Sequence, residues 1–312
     1  MAKIICGVDV SGERLDARVG FDGAELSVER SIKGISRLLA FCRQHGVELV
    51  VMEATGGYEK LAFSQLWAEG LACAIVNPRS VRRLAEGLGL LEKTDRIDAA
   101  VIARYGEIKQ LVGQPPASAA QQKLRALVTR LGQLTDLQTA QKNQRRLVDE
   151  PDVQASFDEV LKLVRSQIRQ LERAIIALLG QDPLWTALDE TFRSIKGVAD
   201  RTTARLMADL PEIGLVSNKA IAKLVGLAPL AKDSGKRTGK RSIRGGRASV
   251  RSILFVVASV VRRHNDDFAD FHQRLIKAGK SKKAARVAVA RKLLVRLNAK
   301  AREARLAMVT AA

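Results

Sequence analysis

The sequence is poor in cysteine, proline and aromatic residues. Of its 312 residues, 3 are cysteine, 7 are proline and 4% are aromatic. Cys6, Cys42 and Cys73 lie far apart and form no Cys-x-x-Cys pair, which argues against a disulfide framework and predicts reduced thiols in a core. Because aromatic residues are so few, base stacking would not dominate nucleic-acid binding, and recognition of a duplex backbone is favoured.

Long apolar runs are also missing. No stretch reaches the roughly 20 residues that a membrane-spanning helix needs. The chain also shows no charged start followed by an apolar segment and a small-residue cleavage site, so we expect a cytoplasmic protein without a secretion signal. His45, His264 and His272 have no ligand spacing, and we interpret them as structural or surface groups.

The chain does carry a large and uneven positive charge. The net charge is +20, yet residues 1–115 hold 15 basic and 15 acidic side chains, whereas residues 231–312 hold 22 basic and 5 acidic ones. Such a local cationic field attracts polyanions, and counterion release from nucleic acid is the usual driving force. The distribution predicts nucleic-acid binding by the carboxy-terminal region, with a merely solvated surface as the alternative.

The first 110 residues alternate short β-like runs with helical segments. The predicted strands are 3–10, 16–21, 25–31, 48–53 and 72–76, and the predicted helices lie near 34–45, 58–69, 78–87 and 95–109. Three successive strands followed by strand–helix alternation predict an α/β domain in which helices pack on a mixed sheet. That order matches the ribonuclease-H-like, or RuvC-like, fold.

Four carboxylates of this region could meet at one point. Asp9 and Glu53 each close an apolar run, so each would emerge where a buried strand ends. Asp95 and Asp98 are three residues apart on a predicted helix, which puts both on one face. Converging carboxylates suit Mg²⁺ or Mn²⁺, and two such ions can stabilise both oxygens of a phosphoryl transfer. Asp16 falls within the next strand rather than at a strand end, and we leave it out of this set.

A proline-containing linker at 114–118 ends the first domain, and two long helices separated at Pro151 follow it. Their apolar positions have coiled-coil spacing: Leu124, Leu127, Leu131, Leu134, Leu161, Val164, Ile168, Leu171, Ile175 and Leu178. Such a pair could fold back on itself or pair with another subunit, and we favour an oligomer contact. The predicted domains are 1–114, 115–182 (a helical coiled-coil segment) and 183–312 (mainly helical).

Two segments of the last domain are candidate nucleic-acid contacts. Residues 195–204 (IKGVADRTTA) look like a helix-hairpin-helix, in which Lys196 and Gly197 would lie at a phosphate. An ordinary helix joint that binds nothing is the alternative. Farther on, Lys282, Lys283 and Arg286 begin a basic helix that also has an apolar stripe, and we predict backbone contacts there.

A loop rich in glycine and cations, within residues 224–247, contains Ser234 between Asp233 and Gly235. The cations of this loop are Lys232, Lys236, Arg237, Lys240, Arg241, Arg244 and Arg247. Their field would stabilise both a serine alkoxide and the phosphate that it attacks. The residues alone favour a plainer interpretation, in which Ser234 belongs to a turn and the cations bind a nucleic-acid backbone.

Five segments together resemble the DEDD transposases of the insertion-sequence one-ten family. They are GVDVS (7–11), MEATGGY (52–58), KTDRIDA (93–99), GLAP (226–229) and DSGK (233–236). These proteins are bridge-RNA-guided recombinases related to the Piv site-specific invertase. The resemblance spans nearly the whole chain, because both sets of motifs occur in the family's order and separation.

The resemblance implies a two-part active site. Asp9, Glu53, Asp95 and Asp98 would bind divalent metal in a RuvC-like domain, and Ser234 of the carboxy-terminal transposase domain would attack DNA, with Ser242 as the competing serine. It further implies DNA element ends and a target as substrates, a noncoding bridge RNA, and a dimer or tetramer in a bacterial, nucleoid-associated setting. Two alternatives remain: a RuvC-type Holliday-junction nuclease that uses metal-activated water, and a noncatalytic nucleic-acid-binding protein.

Overall fold

The chain forms two compact units, Met1–Ala117 and Ser118–Ala312. This computed structural model describes residues 3–90, 92, 95–231, 233–235, 238–239 and 241–311, with the backbone alone at Asp95, Arg96 and Ala311. The unit boundary lies in the proline-containing linker. Ser118 caps the helix that follows, since its side chain accepts a hydrogen bond from the amide of Gln121 (3.1 Å).

The first unit is built on a five-stranded mixed sheet in the order β3-β2-β1-β4-β5. Its elements are β1 (Ile5–Val10), β2 (Arg14–Val19), β3 (Glu25–Glu29), α1 (Ile32–Gln44), β4 (Leu49–Glu53), α2 (Glu59–Ala68), β5 (Cys73–Val76), α3 (Pro78–Gly87) and α4 (Asp95–Lys109). The predicted α/β architecture is confirmed. Strand β2 begins two residues before its predicted start, since Arg14 already pairs with Glu29 of β3. Both residues are charged, so no apolar residue in the sequence marks the beginning of this strand.

Strands β1 and β4 lie at the centre of the sheet and are covered on both faces. Val8 of β1 packs with Leu38 of α1 and Leu66 of α2 in one core. Val51 of β4 belongs to a second core on the opposite face, together with Ile102 of α4. Parallel neighbours that are buried on both sides need apolar residues at successive positions, which explains the two uninterrupted apolar runs in the sequence.

The three cysteines are free and buried, as predicted. Cys6, Cys42 and Cys73 all lie in the core that contains α1 and α2. A hydrogen bond with Cys42 and burial raise the pKa of Cys6 well above its usual value, and burial raises the pKa of Cys73 to about 12. The thiols of Cys6 and Cys73 are therefore neutral at physiological pH.

The described part of the second unit is mainly helical. Its helices are α5 (Ala119–Arg145), α6 (Pro151–Leu179), α7 (Pro183–Arg193), α8 (Asp200–Asp209), α9 (Asn218–Val225), α10 (Ala248–His264), α11 (Asp266–Lys277) and α12 (Lys282–Ala311). One core cluster extends from α5 through α12. The core is therefore continuous across the predicted boundary at residue 182, and the division into a coiled-coil segment and a separate last domain stays a prediction.

Helices α5 and α6 pack along one another within the chain. Leu131 and Leu134 of α5 lie in the same core cluster as Ile168 and Ile175 of α6. Near the connection between the helices, the guanidinium of Arg145 donates two hydrogen bonds of 2.8 Å to the carboxylate of Asp158. The predicted apolar stripes are thus buried inside the chain, whereas a coiled-coil seam to a second subunit stays a prediction.

Helix α12 runs through the core of the second unit and holds a buried amide, Asn298, which is 0% exposed. Its side-chain nitrogen donates to the Val216 carbonyl (3.0 Å) and to the side-chain oxygen of Asn218 (2.9 Å), and its oxygen accepts from the amide of Gly214 (2.9 Å). The Asn298 amide is therefore well satisfied, and it ties α12 to the segment before α9.

Candidate active site and nucleic-acid interface

Asp9 and Glu53 stand side by side at one edge of the sheet. Val8 of β1 pairs in parallel with Met52 of β4, and the two carboxylates are the next residues on their strands. Residues at equivalent positions of neighbouring parallel strands point to the same face. Both residues are half-buried. The strand register therefore brings together two carboxylates that are 44 residues apart in sequence.

Helix α4 lies on that same face. A Cβ atom at Gly7, which shares a face of β1 with Asp9, would overlap the carbonyl oxygen of Ala99 and the amide nitrogen of Ala103. Glycine is thus required where α4 touches β1. Asp98 is adjacent to Ala99 and half-buried, and Asp95 precedes Ala99 by one helical turn. Helix α4 therefore packs on the face of the sheet that carries Asp9 and Glu53, and the approach of its aspartates to that edge stays a prediction.

The predicted metal site is only partly described. Among the described side chains, no group of three or more His, Cys, Asp or Glu is arranged to hold a metal ion, and the side chain of Asp95 lies outside that description. The donor chemistry of Asp9 and Glu53 fits a hard divalent cation, since carboxylate oxygens are the ligands that Mg²⁺ prefers. The complete four-residue site stays a prediction.

Asp16 lies directly opposite Asp9, because β1 and β2 pair antiparallel with these two residues in register. The hydroxyl of Ser27 donates a hydrogen bond to Asp16, and Arg14 donates to Ser27 (2.5 Å). Asp16 is not in the predicted carboxylate set, and its proximity to Asp9 was not predicted. The signal was the spacing of the two aspartates around the Gly12 turn, which places them opposite each other across a tight β-hairpin.

A short hairpin-like segment carries Ser234. Leu230 and Ser242 form a backbone bridge, with the Leu230 amide donating to the Ser242 carbonyl (2.8 Å). Within the segment, Asp233 accepts hydrogen bonds from the Gly239 amide (2.9 Å) and the Arg241 guanidinium (2.6 Å). The hydrogen bond from Arg241 lowers the pKa of Asp233. Ser234 itself is exposed, which leaves it accessible to a large substrate.

The base of this segment is anchored to the helices around it. Gly226 ends α9 in the left-handed conformation (φ 76°) and packs against the Gly245 backbone. Arg251 donates to the Val225 carbonyl (3.2 Å) and to the Gly245 carbonyl (2.5 Å). Since Gly226 begins the GLAP motif, this motif forms the fixed base of the loop that holds the serine.

Arg247 ends the segment in a structural ion pair. Its guanidinium donates two hydrogen bonds of 2.5 Å to the carboxylate of Glu212 and one of 2.9 Å to the Asp209 carbonyl. Burial, the largest single influence, acts to raise the pKa of Glu212, but the hydrogen bonds from Arg247, a backbone hydrogen bond and the positive charge of Arg247 together lower that pKa. Arg247 therefore has a structural contact at the place where sequence analysis predicts a nucleic-acid contact.

Comparison with known proteins identifies the family. Residues 6–148 match a family model that is named for the DEDD motif and described as "Transposase". Residues 189–273 match a second model, described as "Transposase IS116/IS110/IS902 family". Together the two matches cover more than half of the chain. The chain belongs to this transposase family. It is thus an enzyme that acts on DNA, and the family resemblance seen in the sequence is confirmed.

Two relatives share nearly its full length. These are the "Pilin gene-inverting protein" of Moraxella lacunata and that of Moraxella bovis, each 28% identical over 315 residues, covering 94% of this chain and 94% of the relative. The match across both units supports transposase or recombinase activity for this family member. Divalent metal ions are the usual cofactors of DEDD transposases, which agrees with the donor chemistry at the sheet edge.

The turn predicted as a helix-hairpin-helix joins α7 to α8 in this transposase. Gly197 has a φ of 99°, and a Cβ there would come within 3.0 Å of the Val261 backbone. Packing against α10 therefore gives a sufficient reason for this glycine. Lys196 beside it is exposed, and its contact with phosphate stays a prediction.

The basic residues at the start of α12 divide into two kinds. Lys282 and Lys283 are exposed. Arg286 is half-buried, lies 3.9 Å from the centroid of the Phe255 ring, and donates to the Phe255 carbonyl (2.7 Å). Its guanidinium is thus held by α10. Lys282 and Lys283 are therefore accessible for phosphate contacts, whereas the guanidinium of Arg286 is already used within the unit.

Some predicted nucleic-acid contacts lie outside the described residues. They are Lys232, Lys236, Arg237 and Lys240. Arg241 is paired with Asp233, while Arg244 is exposed. In the part of the chain that the structure describes, no helix is both long and apolar enough to span a membrane.

Proposed function

We propose that this transposase excises and inserts a mobile DNA element by combining metal-binding carboxylates with attack by Ser234. The observation that carries the proposal is the strand register that sets Asp9 beside Glu53, with α4 packed on the same face. Asp9, Glu53, Asp95 and Asp98 would hold two Mg²⁺ ions, for which Mn²⁺ could substitute. Bound ions supply polarisation of the scissile phosphate and stabilisation of the leaving oxygen.

Ser234 would serve as the nucleophile. Its oxygen forms a bond to phosphorus, the bond from phosphorus to one deoxyribose oxygen breaks, and the serine proton ends on that leaving oxygen. Because the phosphate stays covalently bound to the protein, the reverse step rejoins DNA without an external energy source. The exposure of Ser234 and its place after the anchored GLAP motif support this role.

The nucleic-acid partners would be the element ends, the target DNA and a noncoding bridge RNA. The excess of cations in residues 231–312 supports polyanion binding, with exposed Arg244, Lys282 and Lys283 as contacts. The bridge RNA rests on the family resemblance.

A dimer or tetramer is the proposed assembly. After α5 and α6 pack together, Val153, Val160 and Leu163 of α6 remain 42%, 39% and 63% exposed. Apolar side chains at three positions along one long helix are suited to a helix–helix contact with a second copy. Light scattering on the full chain, with and without RNA, would measure the assembly.

The decisive experiment compares Ser234→Ala with Ser242→Ala. Each variant is mixed with Mg²⁺, donor DNA, target DNA and the RNA that flanks the element, and the products are examined for DNA covalently bound to protein. We expect wild type and Ser242→Ala to form the adduct and recombine, and Ser234→Ala to do neither. Ser242 is the matched control because it lies on the same segment.

Other outcomes separate the alternatives. Recombination by Ser234→Ala would refute the nucleophile assignment. Free 3′-hydroxyl and 5′-phosphate ends without an adduct would instead identify a junction nuclease that uses activated water. Nucleic-acid binding without any strand cleavage would identify a noncatalytic binding protein.

A further inference from the structure

Two loops meet at the sheet edge that carries Asp9 and Glu53. One follows β1 and includes Gly12, and the other follows β4 and ends at Tyr58. Because β1 and β4 are parallel neighbours, the loops leave the sheet at the same edge as the two carboxylates. A Cβ atom at Gly12 would lie 3.9 Å from the Tyr58 ring carbon that bears the hydroxyl, so the loops are in contact.

An aromatic ring and a guanidinium are paired at this edge. Arg30 lies 5.0 Å from the centroid of the Tyr58 ring, and its Nε donates to the Gly12 carbonyl (2.8 Å). Tyr58 is nevertheless 52% exposed. Arg30 takes part in none of the ion pairs among the described residues. The pair therefore presents an open ring next to a positive charge.

The Tyr58 loop is held in a defined conformation from below. Glu59 is only 7% exposed, and its carboxylate accepts from the amides of Thr55 (3.1 Å) and Gly57 (2.9 Å) and from the Thr55 hydroxyl (3.3 Å). Gly56 and Gly57 have φ values of 74° and 116°, which suit glycine. The exposed ring thus stands on a loop that is fixed between Glu53 and α2.

The geometry points to a nucleotide-binding site formed by Tyr58 and Arg30, which holds one unpaired deoxynucleotide beside the phosphate that is cut. The base stacks on the exposed ring, and the guanidinium of Arg30 contacts a flanking phosphate. This site rests on the proposed function, because it lies at the edge where the carboxylates would act. The nucleotide that it holds belongs to the DNA strand that is cut, since this strand must reach that edge of the sheet.

Such a site serves a physical need of this unit. Residues 1–115 carry equal numbers of basic and acidic side chains, so no general cationic field draws DNA onto them. A single stacked base with one charge-assisted contact would position the strand locally without that field. Few aromatics are required, in agreement with the aromatic-poor composition.

Photocross-linking tests the site. Element-end DNA carrying one 5-iodouracil at successive positions across the cut is bound to the full chain with its RNA, on a Ser234→Ala background, and irradiated. We expect a cross-link to the peptide containing Tyr58 at one or two adjacent positions. Tyr58→Leu should abolish it, and Tyr105→Phe, at the other tyrosine of the chain, should leave it unchanged.

Binding and activity give a second readout. In otherwise wild-type protein, Tyr58→Leu and Arg30→Ala should each weaken strand cleavage by about tenfold or more, the size expected for loss of one base stack or one charged contact. Tyr58→Phe and Arg30→Lys should retain most of it. Equal melting temperatures for all four variants would separate these losses from misfolding.

The outcomes distinguish this site from the proposed reaction. The absence of a cross-link to the Tyr58 peptide at every DNA position, or a cross-link that persists in Tyr58→Leu, would overturn the DNA assignment. Unchanged cleavage in both Tyr58→Leu and Arg30→Ala would also overturn it. If the cross-link forms as expected while Ser234→Ala still recombines in the separate assay, the proposed nucleophile fails and the nucleotide site stands.

Discussion

The two units of the transposase place their charged residues by different physical means. In the first unit, Asp9 and Glu53 stand on central strands whose positions are set by backbone pairing and by cores on both faces. In the second, cations stand on a loop and on helix surfaces, and several of them are used inside the unit, as Arg247 and Arg286 are. A cation in a basic region of the sequence is therefore not by itself a sign of nucleic-acid contact.

The largest expected effect comes from the first unit. Asp9→Asn should lower strand cleavage by about a thousandfold or more, because metal binding supplies several kcal/mol of transition-state stabilisation. DNA and RNA binding should change little, since most of that binding is assigned to the cations of the second unit. Cleavage at varied Mg²⁺ concentration and a binding titration would measure both.

Asp16→Asn is the matched control for that variant. It removes a carboxylate at the paired position on β2, and cleavage should fall far less than in Asp9→Asn. If the two variants lost cleavage equally, Asp9 and Asp16 would support the fold of the sheet rather than the reaction. A loss of nucleic-acid binding in parallel with the loss of cleavage would lead to the same conclusion.

The next prediction tests the division of cations in the second unit. Arg247→Ala should destabilise the protein by about 1–2 kcal/mol, because it removes a charged hydrogen-bonded pair that is about one third exposed. Arg244→Ala, three residues earlier and exposed, should leave stability unchanged and lower the salt slope of nucleic-acid binding by about 1. Denaturant unfolding and binding at several salt concentrations would check both.

The same pair predicts a dependence of stability on pH. The pKa of Glu212 is lowered in the folded state, so its contribution is present above the unfolded pKa of about 4.3. It is lost as pH falls through the lower folded pKa. Wild type should therefore lose more stability than Glu212→Gln when the pH is taken from about 5 to 3. Identical pH profiles would show that the ion pair with Arg247 does not lower the pKa of Glu212 in the folded protein.

The smallest effect concerns the thiols of the first unit. Because Cys6, Cys42 and Cys73 are buried and free, a thiol reagent at about pH 8 should label none of them in native protein and all three after denaturation. Fast labelling under native conditions, followed by mass spectrometry, would show that this core opens more readily than the covered sheet suggests.

The fold of the first unit was predictable because its signals are local. Apolar runs, the Gly56-Gly57 turn and Pro78 marked each strand and helix to within a few residues. The apolar stripes of α5 and α6 likewise predicted two long helices. Their partners were not predictable, because the same spacing suits packing within a chain or between chains, and the described structure buries the stripes inside the second unit.

The candidate site divides in the same way. Asp9 and Glu53 were found because each charge ends a buried run, which is visible along the chain. The role of Asp16 as a neighbour of Asp9, and the pairing of Arg30 with Tyr58, were missed. Both depend on which residues the strand register and the loops bring together.

By itself, the sequence determined the family, the α/β and helical regions, the carboxylates at strand ends and the excess of positive charge, because composition, periodicity and motifs are properties of the chain in order. Only the tertiary structure decided which cations are used internally, which thiols share a core, and that Arg30 lies against Tyr58 beside the carboxylates. The physical reason is that ion pairing, stacking and burial depend on distances in space, and strand register and helix packing set those distances.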